Sequence, residues 1–269
     1  MNMQRRDFLK SSLTVTALGS LSASLFKASA AESDRSATRE YYELRCYRLK
    51  SDADQPRLES FLAKAAIPAW NRLGLNPIGV FKETEPKDGP AVFVLIPYPT
   101  LEAFASSTAR INADEEYLKA GADYLQTPKA DPAFLRIDSW LMLAFAGMPR
   151  LKLPAYCPKV ATRVFELRTY ESHSELKALN KVAMFNAGEI ETMHEIGLAP
   201  IFYGQSLIGA NLPHLWYMTS AENLEEHKKH WGLFGKHPVW QKLKSDLQFA
   251  DNTSKNTSRM MVPLASSQI

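Results

Sequence analysis

Cysteine is scarce in this chain: two residues in 269, Cys46 and Cys157. They form no Cys-x-x-Cys pair, which excludes zinc-ribbon and thioredoxin-like patterns, and two thiols cannot carry a disulfide-built scaffold. Cys46 falls mid-strand, where a small buried side chain accounts for it; an oxidising compartment would still permit one bridge to Cys157. No glycine-rich phosphate loop, Gly-x-Ser-x-Gly turn or Cys/His nucleophile pair occurs. No cofactor is therefore signalled. Beyond the first thirty residues, no apolar run reaches the roughly 20 residues that a membrane-spanning helix needs. No basic stripe is interleaved with aromatics, which sets nucleic acid aside as a partner.

What is present begins with Arg5-Arg6-Asp7-Phe8-Leu9-Lys10, a mild apolar run from Leu13 to Phe26, and Ala28-Ser29-Ala30. A charged head, an apolar middle and a small-x-small end make an export signal. The adjacent Arg5 and Arg6, followed by Phe-Leu-Lys, are similar to the twin-arginine type. Residues 1–30 are expected to be a signal peptide and residues 31–39 a polar, disordered lead-in. The mature protein is then expected to be periplasmic, with no membrane contact after signal removal. The signal holds a net charge of +3, which is the formal charge of the whole chain. The mature part is neutral, so the basic balance implies no polyanionic partner.

Most of the remainder is a tandem repeat. Tyr42-Glu43-Leu44-Arg45-Cys46-Tyr47 returns as Phe165-Glu166-Leu167-Arg168-Thr169-Tyr170, an offset of 123 (166 − 43). Gly74-Leu75 meets Gly197-Leu198, Pro77-Ile78 meets Pro200-Ile201, and Tyr117 meets Trp240. The same offset carries Arg136 onto Arg259. A period this long marks two copies of one supersecondary unit. The first spans 40–146 and the second 163–264, with the proline-rich stretch 147–162 expected to be an extended linker.

Within the first copy, Tyr41 to Leu49 alternates and reads as a strand. Pro56 to Leu73 places apolar residues at helical spacing, and Gly74 closes that helix. Two short strands follow around the turn Lys87-Asp88-Gly89-Pro90. Thr100 caps a helix that resumes near Asp114, and Phe134 to Phe145 supplies the last strand. The second copy repeats the order. A βαββαβ unit is the ferredoxin-like arrangement, with two helices on one face of a four-stranded antiparallel sheet. The other face needs cover, and each copy is small for an independent core. Two copies that cover each other give an α+β fold, two tandem ferredoxin-like units closing as one barrel.

The doubled Glu-Leu-Arg-x-Tyr strand, the Gly-Leu-x-Pro-Ile segment and the tandem arrangement resemble the NIPSNAP family of the dimeric α+β barrel superfamily, over residues 40–264. The resemblance implies the barrel and further association into a homo-oligomer. It implies no particular reaction.

Strand alternation puts Glu43, Arg45 and Tyr47 on one face, and Glu166, Arg168 and Tyr170 likewise. With Leu44 and Leu167 assigned to the helices, these triplets are expected to line a cavity between the two sheets. There an arginine can clamp a small-molecule carboxylate or enolate and a tyrosine can donate to it. The alternative is that each glutamate simply pairs with its arginine. His227 and His230 share a helix face near His237, a spacing that zinc sites use. The first copy has Phe104 opposite His227, and flanking lysines suit a solvated face better. His194 is read as a helix-end partner, His173 and His214 as surface residues. Three functions stay open: a small-molecule binder using the cavity, a cofactor-free oxygenase or isomerase, or an interaction module.

Overall fold

The computed structural model describes residues 38–269. The expected signal peptide and all but the end of the lead-in lie outside the described residues. The first copy comprises β1 (Tyr41–Arg48), α1 (Gln55–Phe61), a π-helical turn (Leu62–Ala66), α2 (Ile67–Arg72), β2 (Gly79–Glu83) and β3 (Ala91–Tyr98). It continues through α3 (Leu101–Asn112), α4 (Glu115–Ala120), α5 (Ala122–Leu125) and β4 (Arg136–Ala144). The second copy comprises β5 (Val164–Glu171), α6 (Glu175–Met184), a π-helical turn (Phe185–Glu189), α7 (Ile190–Glu195), β6 (Phe202–Ile208) and β7 (His214–Ala221). It ends with α8 (Leu224–Lys236), α9 (Pro238–Ser245) and β8 (Lys255–Pro263).

Local chemistry repeats with the elements. Thr100 accepts the Ala103 N–H at 3.1 Å and Asn223 accepts the Glu226 N–H at 2.9 Å, which caps α3 and α8 in the same way. Gly74 and Gly197 end the first helical layer of each copy at φ 79° and 85°, a left-handed conformation that glycine adopts freely.

The strands close into one antiparallel barrel in the order β1-β3-β2-β8-β5-β7-β6-β4. Each copy contributes four neighbours, and the seams are β2 on β8 and β4 on β6. No sheet edge among these strands is left to recruit another chain. Aromatic pairs cross between copies inside the barrel: Tyr42 with Phe202 at 5.3 Å, Phe81 with Phe165 at 4.9 Å, and Trp140 with Trp216 at 5.3 Å between ring centroids. The interior is thus a shared core, and neither half is complete alone.

Two expectations need correction. The linker is extended only over 151–154 and folds into turns over 155–162, and it does not merely connect: Lys152 N–H donates to Ile201 O at 3.1 Å, and Tyr156 OH meets Ser220 Oγ at 2.9 Å. Leu151, Tyr156, Cys157 and Ile269 pack with the barrel core beside Tyr42 and Phe165, closing that end. The offset of 123 also fails in the last strand. Arg48 pairs with Arg136 and Glu171 with Lys255, so the structural offset there is 119 (255 − 136). The second copy is four residues shorter before its final strand, and Arg259 matches Trp140 rather than Arg136.

Candidate functional site

Alternation on β1 and β5 is as expected, but the faces are exchanged. Leu44, Cys46 and Leu167 belong to the barrel core, while Tyr47 packs with the helices of its own copy. Glu43, Arg45, Tyr47, Glu166, Arg168 and Tyr170 therefore lie on the outer wall beneath the helices, not between the two sheets. The physical reason is dryness. The middle of the barrel is filled by apolar side chains from both copies, where a charge would be costly, so the aliphatic set takes that face and charged groups enter the barrel only at its far mouth. The helix face is wide enough for an arginine to lie over an indole and for hydroxyls to reach a carboxylate.

In the first copy, Glu43 is buried and fully used. Arg45 donates Nε at 2.7 Å and Nη2 at 2.9 Å to its two oxygens, and Tyr98 OH and Ser139 Oγ each donate at 2.9 Å. The Arg45 guanidinium lies 5.5 Å from the Trp70 ring centre. Its Nη1 has no partner among the described residues. Beside it opens a hollow of about 180 Å³ between the β1–β4 wall and helices α1 to α5. Ala66 and Thr108 leave the space, and Tyr47, Tyr117 and Tyr124 face it.

Two polar atoms in this hollow's walls are unsatisfied. Trp70 is buried, and its Nε1 lacks an acceptor; Tyr124 OH lacks any partner. A buried polar group left unpaired costs about 1–3 kcal/mol, so such atoms beside a cavity point to something that completes them. Burial raises the Tyr117 and Tyr124 phenols above their ordinary range, so both stay protonated and can donate. The Arg45 edge, the Trp70 N–H and the phenols line one hollow as donors, and its walls are aromatic, with the Phe61 ring stacked on Tyr124 at 3.8 Å.

The second copy spends the same space on itself. Trp231 stands where the first copy has Thr108, and Glu189 where it has Ala66. Glu166 accepts Trp231 Nε1 at 2.6 Å and Arg168 Nη1 at 2.6 Å, with His227 Nε2 at 3.1 Å and a short bond from Ser258 Oγ. Burial pushes the Glu166 carboxyl up, but the His227 and Ser258 hydrogen bonds and the Arg168 charge outweigh it and hold the group at about 2. Arg168 lies 4.7 Å from the Trp231 ring centre, and its Nη2 meets Tyr170 OH at 3.3 Å. Lys181 and Glu189 pair at 3.1 Å, both buried, with Lys181 over the Phe185 ring at 4.6 Å.

The histidines divide differently from expectation. His227 is buried on Glu166 rather than solvated, because its carboxylate partner comes from a distant strand. His230 meets Glu226, and His237 caps α9. His214 is buried, its Nε2 accepting the Trp216 indole N–H at 2.9 Å, not a surface residue. His173 is exposed. Among the described residues no three His, Cys, Asp or Glu side chains are placed to hold a metal. Cys46 and Cys157 are both buried free thiols.

Ferredoxin-like units joined edge to edge, with a helix-side hollow in one of them, define an α+β barrel of the dimeric type. A proposed monooxygenase from Fusobacterium nucleatum shares this fold at a TM-score of 0.55 and 8% identity, over 84% of this chain and 93% of that one. A proposed monooxygenase from Lactobacillus acidophilus does so at 0.54 and 7%, over 84% and 94%. This chain belongs to the NIPSNAP family, whose model matches residues 42–141 and 165–268. A NIPSNAP-like domain protein from Burkholderia xenovorans is 18% identical over 39% of this chain and 88% of its own, at a TM-score of 0.35. No curated protein matches the chain.

Proposed function

We propose that this NIPSNAP protein binds a small, flat anion in the helix-side hollow of its first copy. The observation that carries the reading is the unsatisfied Trp70 N–H beside the unused edge of Arg45. A dry cavity of roughly 150 Å³ admits benzene, so about 180 Å³ suits one aromatic ring with a small substituent. Arg45 and the indole N–H would hold a carboxylate or phenolate oxygen, and the aromatic walls its ring. The test is calorimetric titration of benzoate, 4-hydroxybenzoate and phenylacetate. At least one should bind, and Trp70→Phe should weaken it about tenfold with the melting temperature unchanged. Binding that ignores Trp70→Phe, or none at all, argues against the site.

A second reading is supported by the two solved structures described as proposed monooxygenases. The same donors would stabilise a phenolate or enolate as charge develops, which is what cofactor-free oxygenation or isomerisation requires. Oxygen uptake, or loss of the titrated compound, would separate turnover from binding. An interaction module would need neither hollow nor donors.

Export completes the proposal. Arg5 and Arg6 would direct the folded chain by the twin-arginine route to the periplasm. Replacing both with lysine should leave the protein in the cytoplasm, and unchanged periplasmic recovery would count against that route.

A further inference from the structure

The end of the barrel opposite the linker holds another cavity, of about 260 Å³. Its wall is drawn from β1, β2, β3 and β4 of one copy and β5, β7 and β8 of the other, so it exists only in the closed barrel. We propose that this mouth binds a neutral polyol about the size of one sugar ring.

The charges on the wall are balanced and mutually engaged. Arg48, Lys255 and Arg259 stand against Glu83, Asp88 and Glu171. Arg259 reaches Glu83 at 2.8 Å and Asp88 at 2.7 Å, Lys255 reaches Glu171 at 3.4 Å, and Arg48 pairs with Asp138. With three cationic and three anionic side chains on the wall, an incoming ion finds no counter-charge that is not already shared with a partner. A hydroxyl both donates and accepts, so it can add to the unused lone pairs and N–H groups without separating any pair. This mouth therefore differs in kind from the hollow of the first copy, where Arg45 pairs with Glu43 and no acidic side chain is among the described residues of the lining.

The floor is aromatic. Trp140 and Trp216 lie with ring centroids 5.3 Å apart. Their N–H groups are already taken, by Ala210 O at 3.4 Å and His214 Nε2 at 2.9 Å. What they can offer a ligand is carbon surface, against which the C–H face of a sugar packs. Thr169 and Thr257 also line the cavity, and neither hydroxyl has a hydrogen-bond partner among the described residues. Thr169 is itself buried, at 7% exposure. Apolar floor, charge-paired rim and free hydroxyls are together a recognition set for a ring that carries alcohols.

The experiment is NMR of the mature protein with indole-labelled tryptophan, titrated with glucose, ribose and myo-inositol, and separately with glycine betaine and succinate. At least one polyol should shift the Trp140 and Trp216 indole signals saturably and leave Trp70 in place. The Thr169→Val/Thr257→Val double variant should weaken that binding about tenfold, and Trp70→Phe should not alter it. The proposal is overturned if no polyol shifts the two signals, or if betaine or succinate binds in preference. It is overturned equally if a folded double variant binds as tightly as the wild type. The wild-type indole shifts decide the matter even if the double variant does not fold.

Discussion

Trp231 occupies in the second copy the position that Thr108 holds in the first, 123 residues earlier, and donates its indole N–H to Glu166 at 2.6 Å. That exchange separates a filled copy from a hollow one. The two glutamates share an arginine two residues on and a serine from the neighbouring last strand, and differ in that Glu43 also accepts from Tyr98 while Glu166 also meets His227.

Thr108→Trp should therefore close the hollow of the first copy. Affinity for any compound that binds there is expected to fall at least about tenfold, with the melting temperature unchanged or higher, as read by calorimetry and thermal unfolding together. A variant that binds as well as wild type would show that the compound sits elsewhere.

The reverse change, Trp231→Thr, removes a large half-buried ring and a donor from the buried Glu166. A loss of about 2–4 kcal/mol in urea unfolding is expected. A change under about 0.5 kcal/mol would mean that the Glu166 network contributes little.

The acid limb of stability should carry the mark of Glu166. Its native carboxyl titrates at about 2 against an ordinary value of 4.5, so the native state binds fewer protons in that range than the unfolded chain. Stability is fully present above about pH 4.5 and is lost as pH falls towards about 2, by at most about 3 kcal/mol. Glu166→Gln should flatten that part of the profile. Identical profiles for variant and wild type would contradict the assignment.

Both thiols should be slow to react in the folded protein. Burial pushes Cys46 and Cys157 up to about 11, which leaves little thiolate at neutral pH. A chromogenic disulfide reagent should count two thiols per chain after denaturation and almost none before. Fewer than two after denaturation would indicate oxidation.

Much of this architecture could be read from the repeat. Its length, the βαββαβ order and the small size of each copy led to a closed barrel, and Thr100 and Gly74 marked their helix ends. The exchanged face was not legible, because alternation shows which residues share a side but not which side is drier. Leu44 suits a helix layer or a barrel interior equally well. The hollow was visible in outline, since the offset alone sets Thr108 against Trp231 and Ala66 against Glu189. Tyr124 could not be found that way: it lies in α5, where the copies differ in length and the offset breaks. The burial of His227 was hidden for another reason, because Glu166 reaches it from 61 residues away in the sequence (227 − 166).

The measurement that bears most directly on the account is native mass spectrometry of the purified protein, wild type beside Thr108→Trp. The account predicts a retained small molecule on wild type, with the mass of a one-ring organic acid, that is absent from the variant. The same adduct on both proteins, or none on wild type even after incubation with 4-hydroxybenzoate, would contradict it.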